Sequence, residues 1–161
     1  MFIEDCFLRG GVWYNIWGKS EAKKPFSSQQ FIESFFNTLQ NHNIVCNSDL
    51  MPAIIARENR QTTNLGNGIA IPHPGFDELG DKSTNLIPYD TIYLAYPRFS
   101  LSWDEGASVF AVFFICMKSK EKHLMALSEL AKGLAKPGVM ELLRNREPLD
   151  ILLPALKTEK I

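Results

Sequence analysis

The residue best placed to do chemistry is His73, which follows the string Leu65-Gly66-Asn67-Gly68-Ile69-Ala70-Ile71-Pro72 and precedes Pro74. An imidazole can act as nucleophile, base or ligand near neutral pH. The flanking prolines restrict the backbone on both sides of it. A short apolar run leads into His73 and predicts a strand end, where α/β sheets put their ligand crevices. The glycine turn just upstream adds backbone N–H groups that can hold an anion. For a histidine taken alone, a structural or merely exposed role stands as the alternative.

Other candidates read more plainly. Arg57 closes an apolar helix sixteen positions before His73. An arginine there ordinarily complements the helix dipole, and becomes functional if its planar fork reaches an oxyanion such as phosphate. His123 starts a leucine-striped helix after the run Lys118-Ser119-Lys120-Glu121-Lys122, and on its own predicts a solvated residue. His42, in Gln40-Asn41-His42-Asn43, predicts a surface position. Gly66-Asn67-Gly68 is not a nucleotide loop. A dinucleotide fingerprint needs glycine at 71, where Ile71 stands, and a helix afterwards; no Lys-Ser or Lys-Thr completes a Walker loop. A tight turn with positive φ explains these glycines better.

The elements that must position these residues follow from periodicity. Val12 to Trp17, introduced by Gly10-Gly11 and closed by Gly18, predicts a strand, and Lys19 to Phe26 a loop. Ser27 or Ser28 caps a helix whose Phe31, Ile32, Phe35, Phe36 and Leu39 share one face. Ser48 or Asp49 caps a second helix to about Arg60, with Pro52 tolerated in its first turn. Ile69-Ala70-Ile71, Thr91 to Tyr96 and Val109 to Ile115 predict strands, the last central because it lacks polar alternation. A polar loop spans Phe76 to Pro88, and Asp104-Glu105-Gly106 marks a turn. A helix with Leu124, Leu127, Leu130, Ala131 and Leu134 on its stripe ends at Pro137-Gly138. Helical Val139 to Arg144 and apolar Leu149 to Leu156 complete the chain. The alternation predicts helices covering a mixed sheet in a single domain, residues 1–161.

Composition bounds the function. The 161 residues are 45% hydrophobic and 22% charged with net charge −1, which gives no bulk electrostatic case for nucleic acid. The longest apolar run, Val109 to Met117, is too short for a spanning helix, so no direct membrane insertion is expected. Acids at Glu4 and Asp5 stand where a signal peptide carries bases, and Cys6, Cys46 and Cys116 form no CxxC pair. A cytoplasmic, reduced protein without disulfides or a zinc site is expected.

Taken together, Arg57-Glu58, Thr62 or Thr63, and Gly66-Asn67-Gly68-Ile69-Ala70-Ile71-Pro72-His73 resemble the active-site signature of the phosphotransferase-system EIIA domains of the fructose/mannitol type, which include the nitrogen-regulatory EIIA proteins. The likeness continues through Asp104-Glu105-Gly106-Ala107-Ser108-Val109 and through His123-Leu124-Met125-Ala126-Leu127-Ser128-Glu129-Leu130-Ala131, and covers nearly the whole chain. It implies a mixed five-stranded sheet sandwiched by helices. It implies that His73 accepts a phosphoryl group, as a tele-phosphohistidine, from phosphorylated HPr or an HPr-like carrier and passes it to an EIIB partner. It implies that His123 and Arg57 stabilise that group, with no cofactor and no metal. The aromatic N-terminal segment and the long loop after His73 depart from the pattern and bear on partner choice. With no EIIB-like cysteine motif or permease domain in the sequence, the resemblance implies a free-standing relay or a regulator. A component of fructose- or mannitol-type sugar uptake is the alternative.

Overall fold

The structure, a computed structural model, describes residues 1–16, 27–76, 86–104 and 107–157. Helix α1 (Phe2–Gly10) leads into β1 (Val12–Ile16), followed by α2 (Ser28–Asn41) and α3 (Leu50–Arg60). Strands β2 (Ile69–Ala70), β3 (Thr91–Pro97), β4 (Leu101–Asp104), β5 (Ala107–Val109) and β6 (Ala111–Cys116) come next. Helices α4 (Lys120–Leu134), α5 (Val139–Arg144) and α6 (Leu149–Lys157) close the described chain.

Among the described residues the main sheet has four strands, in the order β1-β3-β6-β2, rather than the five expected. It is mixed: β1 runs parallel to β3 and β2 parallel to β6, while β3 and β6 are antiparallel. Leu101 to Val109 folds back on itself as a separate antiparallel hairpin, β4-β5. The sequence reading marked only the turn at its tip, of which Glu105 and Gly106 lie outside the described residues. Consequently β6 begins at Ala111, not Val109.

The central position predicted for the apolar strand is realised, because all six residues of β6 are buried. A strand sends alternate side chains to opposite faces, so each face needs its own cover. Ala111, Phe113 and Ile115 pack with α1, α4, α5 and α6. Val112, Phe114 and Cys116 pack with α2, α3 and the hairpin. Phe114 meets all three helix aromatics: Phe31 and Phe35 stack on it and Phe36 meets it edge-on.

Three local readings change. Phe2 to Gly10, not assigned to any element from the sequence, is a helix that buries Ile3, Cys6, Phe7 and Gly10. Gly10 lets α1 lie directly on β3, since a Cβ there would fall 1.9 Å from the Ile92 carbonyl oxygen. The buried face of α4 is His123, Ala126, Leu130, Gly133 and Leu134, while Leu124 is 56% exposed. The leucine stripe is therefore turned partly outward. Ser27 caps α2 in a reciprocal box with Gln30, whereas Asp49 caps α3 without a side-chain hydrogen bond. The predicted 19–26 loop and most of the 76–88 loop fall outside the described residues, as do Trp17 and Gly18.

The glycine turn is a requirement of packing as well as of conformation. Gly66 and Gly68 have φ of 86° and 92°. A Cβ on Gly68 would meet the Phe110 ring at 2.1 Å, and the Gly68 carbonyl oxygen accepts a 2.8 Å bond from Phe110 N–H. Gly68→Ala is therefore expected to destabilise the fold by about 2 kcal/mol or more, combining left-handed strain with overpacking. Chemical denaturation measures this, and wild-type stability would show that the turn relaxes freely.

Candidate active site

His73 sits where the chain leaves β2 and runs beside the C-terminal half of β6. The Pro72 carbonyl oxygen accepts a 3.1 Å bond from Ile115 N–H, which holds the Pro72-His73 segment to the sheet. Proline has no N–H to give, so its carbonyl makes the attachment. The imidazole is buried, with 8% exposure, and its Nδ1 lies 2.7 Å from the Ile71 carbonyl oxygen. A carbonyl only accepts, so Nδ1 carries the hydrogen and Nε2 of the neutral ring keeps its lone pair.

His123, in the first turn of α4, is brought against it, with ring centroids 4.5 Å apart and planes inclined by 47°. The solvated position read from the sequence pattern alone is wrong: His123 is 6% exposed. Its Nδ1 is buried without a hydrogen-bond partner. Phe76 also packs against His123, at 5.3 Å between ring centroids. His42, as predicted, is on the surface, where its Nδ1 donates to the Thr38 carbonyl oxygen.

Both rings are held neutral. Burial lowers the pKa of His73 from its ordinary value; the bond to Ile71 opposes this and the Arg57 charge adds to it. Burial, reinforced by His73 and Arg57, pushes His123 down to about 4. Desolvation penalises the imidazolium form, and adjacent cations penalise it further.

The two histidines and Arg57 line one small open cavity of about 120 Å3, together with Arg60, Phe76 and Lys120. Arg57 lies in the last turn of α3, and its Nη1 donates to the Gln61 carbonyl oxygen at 2.8 Å. Arg60 and Lys120 were missed in the sequence. Their signal was spacing: Arg60 is three residues from Arg57, and Lys120 three from His123, so each pair shares a helix face. The cavity thus gathers cationic groups and the N-terminal turn of α4 around two neutral imidazoles, an arrangement that favours an anionic group. The glycine turn does not take part. Gly66, Asn67 and Gly68 line a different cavity with Phe110 and Arg144, because β2 intervenes between turn and histidine. Their part is structural.

This fold, with its helix-covered mixed sheet, is that of the phosphotransferase IIA proteins. The nitrogen regulatory protein IIA-Ntr of Neisseria meningitidis matches with a TM-score of 0.65 and 21% identity, over 91% of this chain and 92% of that one. Enzyme IIAMtl of Escherichia coli, solved in complex with phosphorylated enzyme IIBMtl, matches with a TM-score of 0.65 and 17% identity, over 89% of this chain and 97% of that one. At such identities the likeness concerns the fold alone.

Residues 21–157 match the family described as phosphoenolpyruvate-dependent sugar phosphotransferase system, EIIA 2, and the chain belongs to that family. A multiphosphoryl transfer protein of Vibrio cholerae serotype O1 is 32% identical over 108 residues, which are 66% of this chain and 25% of that protein. The chain spans about a quarter of the length of the first curated relatives it matches. No helix of the described residues is long and apolar enough to cross a membrane.

Proposed function

We propose that this chain is a cytoplasmic phosphoryl carrier in which Nε2 of His73 accepts a phosphoryl group from the phosphohistidine of HPr or an HPr-like protein. The observation that carries this reading is the pairing of His73 and His123 at 4.5 Å in a cavity lined by Arg57, Arg60 and Lys120. The P–N bond to the donor imidazole breaks as the P–Nε2 bond forms, and Nδ1 keeps its hydrogen throughout. Little covalent chemistry is demanded of the protein beyond in-line positioning and stabilisation of the equatorial oxygens. Arg57, and His123 with its unpartnered Nδ1, are suited to that second task. No metal or cofactor enters the step.

The group then passes to a cysteine thiolate of an EIIB partner, or its presence on His73 regulates contacts with a target protein. The added charge at a cationic cavity is sufficient to switch an interface. Relay in sugar uptake is supported by membership of the sugar phosphotransferase EIIA 2 family and by the multiphosphoryl transfer relatives.

Incubation with phosphoenolpyruvate, enzyme I and HPr, with the site located by mass spectrometry, tests the proposal. One phosphoryl group on His73 is expected. An unlabelled chain, or a label elsewhere, overturns it. Offering the phosphorylated chain to EIIB domains then separates relay from regulation.

Arg57→Ala is expected to shorten the phosphohistidine lifetime by about tenfold, the order of one charge-assisted hydrogen bond. An unchanged decay rate would remove Arg57 from contact with the group.

A further inference from the structure

A buried carboxylate stands at the head of a hydrogen-bonded series that ends on His73. Glu58, in the last turn of α3, is only 8% exposed. Its Oε2 accepts from Thr63 Oγ1 at 2.6 Å. Oε1 accepts from Thr62 Oγ1 at 3.2 Å and from Trp103 Nε1 on β4 at 2.5 Å. The Thr63 N–H donates to both oxygens, at 3.1 and 3.2 Å. The Thr63 carbonyl oxygen in turn accepts from Ile71 N–H at 3.1 Å, and the Ile71 carbonyl oxygen accepts from His73 Nδ1 at 2.7 Å.

Every hydrogen in this series points back toward Glu58. A buried carboxylate is costly unless its lone pairs are filled, and four donor groups fill them here. An ionised carboxylate only accepts, so it fixes the polarity of the donors around it. By clamping Thr63, Glu58 anchors the segment that pairs with the Ile71 N–H, and so holds in place the residue whose carbonyl oxygen meets His73 Nδ1 and selects the nitrogen that carries the hydrogen.

We propose that Glu58 is a positioning residue that holds His73 in the Nδ1–H tautomer, leaving Nε2 free to attack. Its consequence for transfer rests on the reading of His73 as phosphoryl acceptor; its consequence for the tautomer does not. Nothing in this assigns Glu58 contact with the phosphoryl group. That distinguishes it from Arg57, its neighbour in sequence, which lines the cavity.

The test is Glu58→Gln, a change of nearly equal volume. With its amide nitrogen on the Oε2 side the glutamine meets the Thr63 N–H; turned over, it meets the Trp103 N–H, and neither can accept. At least one bond of the clamp is lost. Nitrogen-15 NMR of the unphosphorylated imidazole should show a single Nδ1–H tautomer of His73 in the wild type and a gain of Nε2–H in the variant. Phosphate acceptance from phosphorylated HPr should fall about tenfold. Thr63→Val, which removes only the 2.6 Å bond, should shift both readouts in the same direction and decides the matter if Glu58→Gln does not fold. Wild-type tautomer and rate in a folded variant would overturn the proposal, and so would a slowed rate with an unmoved tautomer. A wild type that takes up no phosphate while its tautomer still responds to Glu58→Gln would overturn the phosphoryl reading and leave the positioning role standing.

Discussion

His73→Ala is expected to take up no acid-labile phosphate from phosphorylated HPr, a complete loss. Among the described residues no other imidazole has the same preparation. His123 has no carbonyl partner for its Nδ1, and His42 is exposed and does not line the cationic cavity. The wild-type ring is neutral because burial outweighs the opposing pull of the Ile71 carbonyl. Acceptance should therefore hold as pH falls through 6.5, the ordinary imidazole value, and decline only below it, as the ring takes up a proton. A free imidazole would have lost half of its nucleophilic form at that point. Rates of label uptake between pH 5 and 8 measure this, with the donor's own titration determined in parallel. Label retained on His73→Ala would sink the assignment outright.

The legible parts of this protein were those where one local rule suffices. The unbroken apolar run after Ser108 had to be covered on both faces, and β6 is central. Phe31, Ile32, Phe35, Phe36 and Leu39 had one consistent period, and all five are buried. Rules that compete hid the rest. Ile3, Cys6 and Phe7 have helical spacing, yet the segment is short and ends in two glycines, so only its docking on β3 reveals a helix. The stripe of α4 looked leucine-centred, but hydrophobicity did not decide which face turns inward. His123 is buried in place of Leu124 because it packs against His73 and Phe76, a contact between residues fifty apart. Glu58 was invisible as an anchor for a similar reason. A glutamate at a helix end ordinarily faces water, and its Trp103 partner lies forty-five residues away on a hairpin. Motif likeness points to Arg57, His73 and His123 as candidates; Arg60, Lys120 and the gathering of all five in one cavity come from long-range packing.

His123→Ala is expected to accept phosphate and to pass it on about a hundredfold more slowly, because removing one preorganised donor from a developing anion has an effect of that order. Transfer to an EIIB domain, followed by loss of label from the isolated phosphoprotein, measures it; unchanged kinetics would take His123 out of the site. A second readout is independent of any partner. The folded ring titrates at about 4, below its ordinary 6.5. Between those values the unfolded chain binds a proton that the native ring refuses, so stability is intact above 6.5 and is lost as pH falls toward 4. One such group adds at most about 1.4 kcal/mol per pH unit to that slope, and His73, also lowered, adds in the same sense. Removing His123 should flatten the acid side of the stability curve while lowering its plateau, since the vacated volume is a cavity beside Phe76. Phosphorylation should act oppositely. A phosphoryl group on His73 replaces a neutral neighbour with an anion, favours the protonated His123 ring, and moves its titration upward. The same histidine then reports the state of His73: its titration by NMR should lie near 4 before labelling and well above it after. A titration indifferent to labelling would show that the two rings, though in contact, do not share the charge.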